Sequence, residues 1–251
     1  MIKKITITSL TSLVLLSQSA NSEIKAGPLT LTPGIMFQTN YVGEFTGALT
    51  NRSKPTYGVD LNIAHDSGVY IYSAIKKLKN FPDADSVQDY GTFDWESCNS
   101  LGFAKKIQSL NVDVSYENCY IDAKTEENTG VYYFRASYDL NKQTSIGAAY
   151  AKNSTEGSVE DLDEDGTYET KFVKDAYKFF VSHDLGLAKT TLTYGKSDNF
   201  TDFYSLSLNK DLFNVNFDLA YWSVNAEGWV NDAAPKFYDR DLLILSVKKT
   251  F

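Results

Sequence analysis

The stretch Phe213-Asn214-Val215-Asn216-Phe217-Asp218-Leu219-Ala220-Tyr221-Trp222 carries the pattern that decides the fold class. Its odd-numbered residues are all apolar or aromatic. Asn214, Asn216, Asp218, Ala220 and Trp222 fall between them, and most of these are polar or small. Side chains of a strand change face at every residue. One face of this stretch therefore suits hydrocarbon and the other suits water. Three more stretches read the same way. Tyr57, Val59, Leu61 and Ile63 oppose Gly58, Asp60, Asn62 and Ala64. Val112, Val114 and Tyr116 oppose Asn111, Asp113, Ser115 and Glu117. Tyr132, Phe134, Ala136 and Tyr138 oppose Val131, Tyr133, Arg135 and Ser137. Such alternation fits a soluble sandwich as well as a membrane barrel. The gaps between strands separate the two.

Strand-like runs recur along the chain, and they predict strands over Leu29–Thr39, Thr56–His65, Val69–Lys77, Ser97–Lys106, Asn111–Tyr120 and Val131–Asp139. The series continues with Thr144–Lys152, Lys171–His183, Ala188–Ser197, Phe203–Lys210, Phe213–Val224 and Phe237–Phe251. Most are near the length a tilted strand needs to cross a bilayer, roughly 9–11 residues. Connections between them alternate. His65–Gly68, Ile107–Leu110, Leu140–Gln143, Asp184–Leu187 and Asp211-Leu212 are short. Asn40–Pro55, Leu78–Glu96, Ile121–Gly130, Asn153–Thr170 and Asn225–Lys236 are long, and only Asp198–Thr201 breaks the rhythm. Short periplasmic turns and longer outer loops are the habit of bacterial barrels. Asp139-Leu140, Asp184-Leu185 and Asp211-Leu212 look like a recurring hairpin device. The expected fold is all-β: a transmembrane, antiparallel, up-and-down barrel of about twelve strands.

Composition agrees. The 251 residues include 17 Tyr and 15 Phe but only 5 Pro. Aromatics suit pleated surfaces and membrane interfaces, whereas proline interrupts ladders. No run of about 18 apolar residues is present, so the sequence offers no transmembrane helix. Residues 1–22 read as a secretory signal peptide: Lys3 and Lys4, a short, mostly apolar and hydroxyl-bearing stretch from Ile5 to Leu16, then small residues Ala20 and Ser22. Cleavage there would leave the barrel domain, residues 23–251. It would leave 22 Lys and Arg against 32 Asp and Glu, so the net charge would move from −8 to −10. An acidic chain of this kind is a poor partner for nucleic acid. Outer-membrane lipid and lipopolysaccharide are its expected surroundings, in the outer membrane of a Gram-negative cell.

The two cysteines test the strand map. Residue numbers 98 and 119 sum to 217, and a hairpin turning between Gln108 and Ser109 pairs residues with that same sum. Cys98 and Cys119 are thus predicted to face each other and form a disulfide, as an even cysteine pair in an exported chain suggests. The same register sets Leu101 against Tyr116 and Phe103 against Val114 on the lipid side. It turns Ser100, Gly102 and Ala104 to the lumen with Glu117, Ser115 and Asp113.

The end of the chain, Asp241–Phe251, finishes on an aromatic residue with Val247, Leu245 and Leu243 at alternate positions before it. This resembles the signal read by the barrel-assembly machinery. Lys249 departs from it, and its stem can lie along lipid with the amine at the periplasmic interface.

From Asn40 to Ser73 the chain resembles the TorF-type family of proteobacterial outer-membrane porins. Asn40-Tyr41-Val42, Phe45-Thr46-Gly47, Pro55, Gly58-Val59-Asp60 and His65-Asp66-Ser67-Gly68-Val69-Tyr70 carry the likeness. Gly43 and Glu44 look inserted, and Thr46 stands where the family has arginine. The resemblance implies pore formation and supplies no catalytic residues.

Catalytic chemistry has little to work with. His65 and His183 are the only histidines, and both precede turns. Nucleophilic and metal-dependent hydrolysis would ordinarily need histidine at the site. Asp161, Asp163 and Asp165, followed by Gly166, resemble the first half of a calcium loop. Phe172 occupies the place of the twelfth-position carboxylate, so an EF-hand is excluded. A loose calcium or magnesium ion in this acidic loop is the one cofactor the sequence suggests. Pore-lining candidates carry both signs: Asp60, Asn62, Asp113, Glu117 and Asp218, with Arg135, Lys174 and Lys178. Lys106 joins them. Opposite signs across a wet lumen would orient small polar solutes. The expected function is passive diffusion of small hydrophilic solutes. The alternative is a non-conducting barrel whose outer loops bind a surface partner through Phe45, Trp95 and Trp229.

Overall fold

The computed structural model describes residues 23–40, 55–77, 95–121, 127–153, 158–162, 168–172, 175–198, 201–225 and 240–251. The first half contributes β1 (Ile24–Ala26), β2 (Leu29–Gln38), β3 (Thr56–His65), β4 (Val69–Lys77), β5 (Trp95–Ile107), β6 (Leu110–Ile121) and β7 (Glu127–Asp139). The second half contributes β8 (Thr144–Asn153), β9 (Ser158–Leu162), β10 (Tyr168–Phe172), β11 (Asp175–Asp184) and β12 (Lys189–Ser197). Next come β13 (Thr201–Leu212), β14 (Val215–Asn225) and β15 (Arg240–Thr250). Twelve of these, β2 to β8 and β11 to β15, form one sheet whose neighbours are antiparallel and mostly adjacent in sequence. Pairing of β2 with β15 on one side and β3 on the other closes the sheet into a barrel. Closure leaves no free edge along the wall, as a hydrocarbon surrounding demands.

The twelve predicted strands correspond to these twelve. Two additions were not predicted. β1 folds back on β2 through Gly27, whose φ is +62°, and β9 pairs with β10 as a separate hairpin within the long connection after β8. That hairpin takes Lys171, so β11 starts at Asp175, later than the predicted Lys171. The last turn also moves. β13 runs through Leu212, and the turn is Phe213-Asn214, with φ of +53° and +60°. Two successive left-handed residues make the tight hairpin turn whose twist matches its strands. Asp211-Leu212 is therefore strand, and Phe213, 97 % exposed, is turn.

The outer surface carries the apolar residues. Ile71, Leu101, Phe134, Phe179, Leu192, Leu219 and Leu243 are all exposed on it. The interior holds small and polar residues, among them Ala74, Ala149, Ala176, Ser115, Ser182 and Thr193. This inversion of the soluble pattern is that of a barrel immersed in lipid.

Candidate functional site

The lumen is the place where polar groups converge. β5 and β6 pair with the register Cys98↔Cys119, Leu101↔Tyr116 and Phe103↔Val114, and the two cysteines are joined as a disulfide. Ser100 and Glu117 then meet on the inner face, where the serine hydroxyl donates to a Glu117 carboxylate oxygen at 2.9 Å. Tyr133 on β7 donates to the other oxygen at 3.1 Å. Four residues further along β6 toward the periplasm, on the same face, Asp113 accepts from the Tyr70 hydroxyl at 2.9 Å and lies 3.8 Å from the Arg135 guanidinium. That guanidinium stacks 4.4 Å from the centre of the Tyr133 ring. Partners of this kind offset the cost of half-burying a polar group.

Two further ion pairs line the same region. Lys76 and Glu96 join β4 to β5 at 3.2 Å. Lys248 on β15 reaches past β2 to Asp60 on β3, 2.9 Å away, and the Asp60 side chain is only 2 % exposed. Gly34 lies between them on β2, and a side chain there would strike the Asp60 carboxylate. The same device recurs with aromatics. Tyr70 lies over Gly102, Phe180 over Gly147 and Phe203 over Gly195, so large inward residues lie flat against the neighbouring strand.

Of the predicted lumen residues, Asp60, Asn62, Asp113, Glu117, Arg135, Lys178 and Asp218 lie in strand registers that share the inner face. Asp113, Glu117 and Arg135 come together. Asp60 joins Lys248 instead, Asn62 pairs across the ladder with Tyr72, and Asp218 lies between Asn209 and Ser246. Lys174 lies outside the described residues, as do Asp163, Asp165, Phe45, Trp229 and residues 1–22. Asp161 belongs to β9, opposite Glu169. Trp95 faces outward beneath Lys77, 4.7 Å from its ring.

Sequence reading missed an apolar wall. Phe203, Val224, Leu242 and Ile244 are buried inside β13 to β15, and Trp222 packs against Phe203 with ring centres 4.8 Å apart. The signal was present in Leu242-Leu243-Ile244-Leu245, since an unbroken apolar run means both faces are covered by apolar material. On the periplasmic half, by contrast, the lumen opens into a cavity of about 600 Å³ lined by Lys106, Asn111, Asp113, Arg135, Lys178 and Thr191 among others.

Histidine serves the periplasmic turns. His65 Nδ1 accepts from the Ser67 backbone N–H at 3.0 Å, and His183 Nδ1 lies 2.9 Å from the Thr144 hydroxyl. Among the described residues one metal-like cluster occurs, Glu96 with Cys98 and Cys119. Its sulfurs are tied in the disulfide, and metal binding requires thiolates.

No family model and no curated protein matches the chain. Solved structures do. The KdgM porin is similar with a TM-score of 0.52 at 10 % identity, over 88 % of this chain and 99 % of that one. The NanC porin in its rhombohedral crystal form gives 0.49 at 10 % identity, over 87 % and 97 %. Likeness at this identity is likeness of fold. The closed twelve-stranded wall, the apolar outer surface and the KdgM comparison together give this chain the fold of an outer-membrane β-barrel, the fold it shares with the KdgM porin.

Proposed function

We propose that the protein is an outer-membrane channel for the passive diffusion of small hydrophilic solutes. The observation that carries this reading is the cavity of about 600 Å³ inside the barrel wall, whose lining includes the charged residues Lys106, Asp113, Arg135 and Lys178. Its charged side chains lie on strands of the wall and are held there by partners in a confined space. Passage through such a lumen needs neither cofactor nor covalent intermediate. The processed form is residues 23–251, with the leader removed during export and the Leu243, Leu245, Val247 and Phe251 pattern guiding assembly. Planar-bilayer recording of the refolded protein tests the function. Stable unitary steps whose size changes in Arg135→Gln are expected. A barrel that inserts and stays silent would overturn the proposal.

A further inference from the structure

We propose that the outward face of β13 to β15 holds an anionic phospholipid of the periplasmic leaflet, with its phosphate seated between Lys210 and Lys249. This surface concerns the membrane around the barrel and does not depend on whether the lumen conducts.

Charge segregation is the first support. Alternation along the strands sorts charged residues into inward and outward sets. At the outer end the outward charges carry both signs: Lys152 stands opposite Asp175, and Lys196 opposite Asp202. At the periplasmic end the outward charges of the described strands are Lys105, Lys210 and Lys249. The strand carboxylates of that end, Asp139, Asp184 and Asp211, fall in the inward registers, opposite Ser145, Lys189 and Asn216. A chain with a net charge of −8 thus turns a cationic rim of wall residues toward one leaflet. Lysines at a membrane surface draw anionic headgroups.

Placement is the second support. Lys210 pairs with Phe217 across one ladder of β14, and Lys249 pairs with Val215 across the other. The two lysines therefore flank β14, two inter-strand spacings across and two residues along, about 12 Å apart at the backbone. Val215 and Phe217 make an apolar floor between them. Above the lysines the outward columns stay apolar, with Leu206 and Leu208 over Lys210 and Leu245 over Lys249, all exposed. A diacyl lipid needs this order: hydrocarbon along the wall and cations at its end. Lysine stems lie along apolar surface and carry their amines to the interface. The Lys210 amine reaches the turn between β11 and β12, where it donates to the Gly186 carbonyl at 3.4 Å. The Lys249 amine lies 4.9 Å from the centre of the Phe251 ring. A carbonyl and a ring face cancel neither charge. The inward carboxylates nearby are engaged elsewhere: Asp211 accepts from Asn216 at 2.6 Å, and Asp184 from the Gly186 N–H at 2.7 Å.

Native mass spectrometry of the refolded, detergent-solubilised protein tests the site, with phosphatidylglycerol and phosphatidylcholine of the same acyl chains as probes. Phosphatidylglycerol is expected to be retained at least about tenfold over phosphatidylcholine at low salt, since each lysine near an anionic lipid surface is worth roughly fivefold. The preference should fall as ammonium acetate rises from about 0.02 to about 0.5 M, because the Debye length shrinks severalfold over that range. Lys210→Gln combined with Lys249→Gln should bring phosphatidylglycerol down to the level of phosphatidylcholine. Lys196→Gln, at the outer end, should leave the preference as it was. The salt series on the unaltered protein decides the matter even where the double variant fails to refold. Equal retention of the two lipids, a preference indifferent to salt, one that survives the double variant, or one lost equally in Lys196→Gln would each overturn the proposal. Displacement of the lipid by an equal concentration of inorganic phosphate would also overturn it, because the apolar wall would then contribute nothing.

Discussion

The wall formed by β13 to β15 and the wall formed by β3 to β7 face one lumen, yet they are made of opposite material. On the first, Phe203, Val224, Ile244 and Leu242 are 0, 2, 3 and 9 % exposed, and they fill space as a protein core does. On the second, the inward residues include Asp60, Lys76, Glu96, Glu117, Asp113 and Arg135, held by partners on neighbouring strands or, for Asp60, by Lys248 reaching across β2 from β15. The difference shows how a narrow barrel handles its interior. A lumen lined by charge on all sides would collect unpaired groups, and a lumen packed on all sides would pass nothing. One packed wall stabilises the barrel, and the other wall carries the polar chemistry.

This contrast makes Phe203→Ala the most damaging single change. Its ring is fully buried against Gly195 and Trp222, so truncation leaves a cavity that strands cannot easily close. A loss of about 4 kcal/mol is expected, by the measure of buried phenylalanines elsewhere. Urea unfolding in detergent micelles would show it as a lowered midpoint. Near-normal stability would mean that the first wall is not a core.

Next in size is Lys248→Met. Asp60 would then be left buried with its cross-seam partner gone. Breaking one side of a buried pair costs several kcal/mol, and the 38 % exposure of Lys248 points to the lower end, about 3 kcal/mol. Adding Asp60→Asn to that variant should recover most of the loss. The pair also spans the closing seam, where β15 and β2 share only five ladder positions, Ser246 to Thr250 against Gln38 to Gly34. Failure of the double variant to recover would show that the seam depends on the ladder and not on the ion pair.

The sequence revealed these two regions unequally. Strand number and hairpin register were legible, because period-2 alternation and the cysteine numbering are local signals. Cys98 with Cys119 fixed a twelve-pair ladder from two residue numbers. Lys248 with Asp60 was not legible, since residues 188 positions apart meet only through closure of the sheet. The apolar wall was missed for another reason. Alternation was used to sort residues into lipid and water faces, and Trp222, Leu242 and Ile244 sat on the side reserved for water. Phe213 misled by the same rule: it kept the alternation in phase while serving as a turn. Asn214, a residue that tolerates the left-handed conformation, was the better guide there.

A smaller effect is expected from the disulfide. Cys98→Ser with Cys119→Ser opens a loop of 21 residues, and a cross-link of that length is worth about 3 kcal/mol in a free chain. The hairpin ladder already holds β5 and β6 in register, so about 2 kcal/mol or less should be lost. Non-reducing and reducing gels after heating, with unfolding midpoints for each form, would measure it. A loss as large as that of Phe203→Ala would reveal that the ladder relies on its cross-link.

Tyr133→Phe should be the mildest of the set, and it isolates one contact. The substitution keeps the ring on which Arg135 stacks and removes only the hydroxyl that Glu117 accepts from. Ser100 still donates to the other carboxylate oxygen, so Glu117 is not orphaned. A loss of about 1 kcal/mol follows from one hydrogen bond to a charged group that water can partly replace. Combining Tyr133→Phe with Ser100→Ala removes both donors and should cost more than the two single changes together, because only then does a half-buried carboxylate lose every contact described for it on the inner wall. A double-mutant cycle read by unfolding midpoint would expose that excess. Simple additivity would mean that water reaches Glu117 freely, and the polar wall would then be a wetted surface instead of a set of fixed charges.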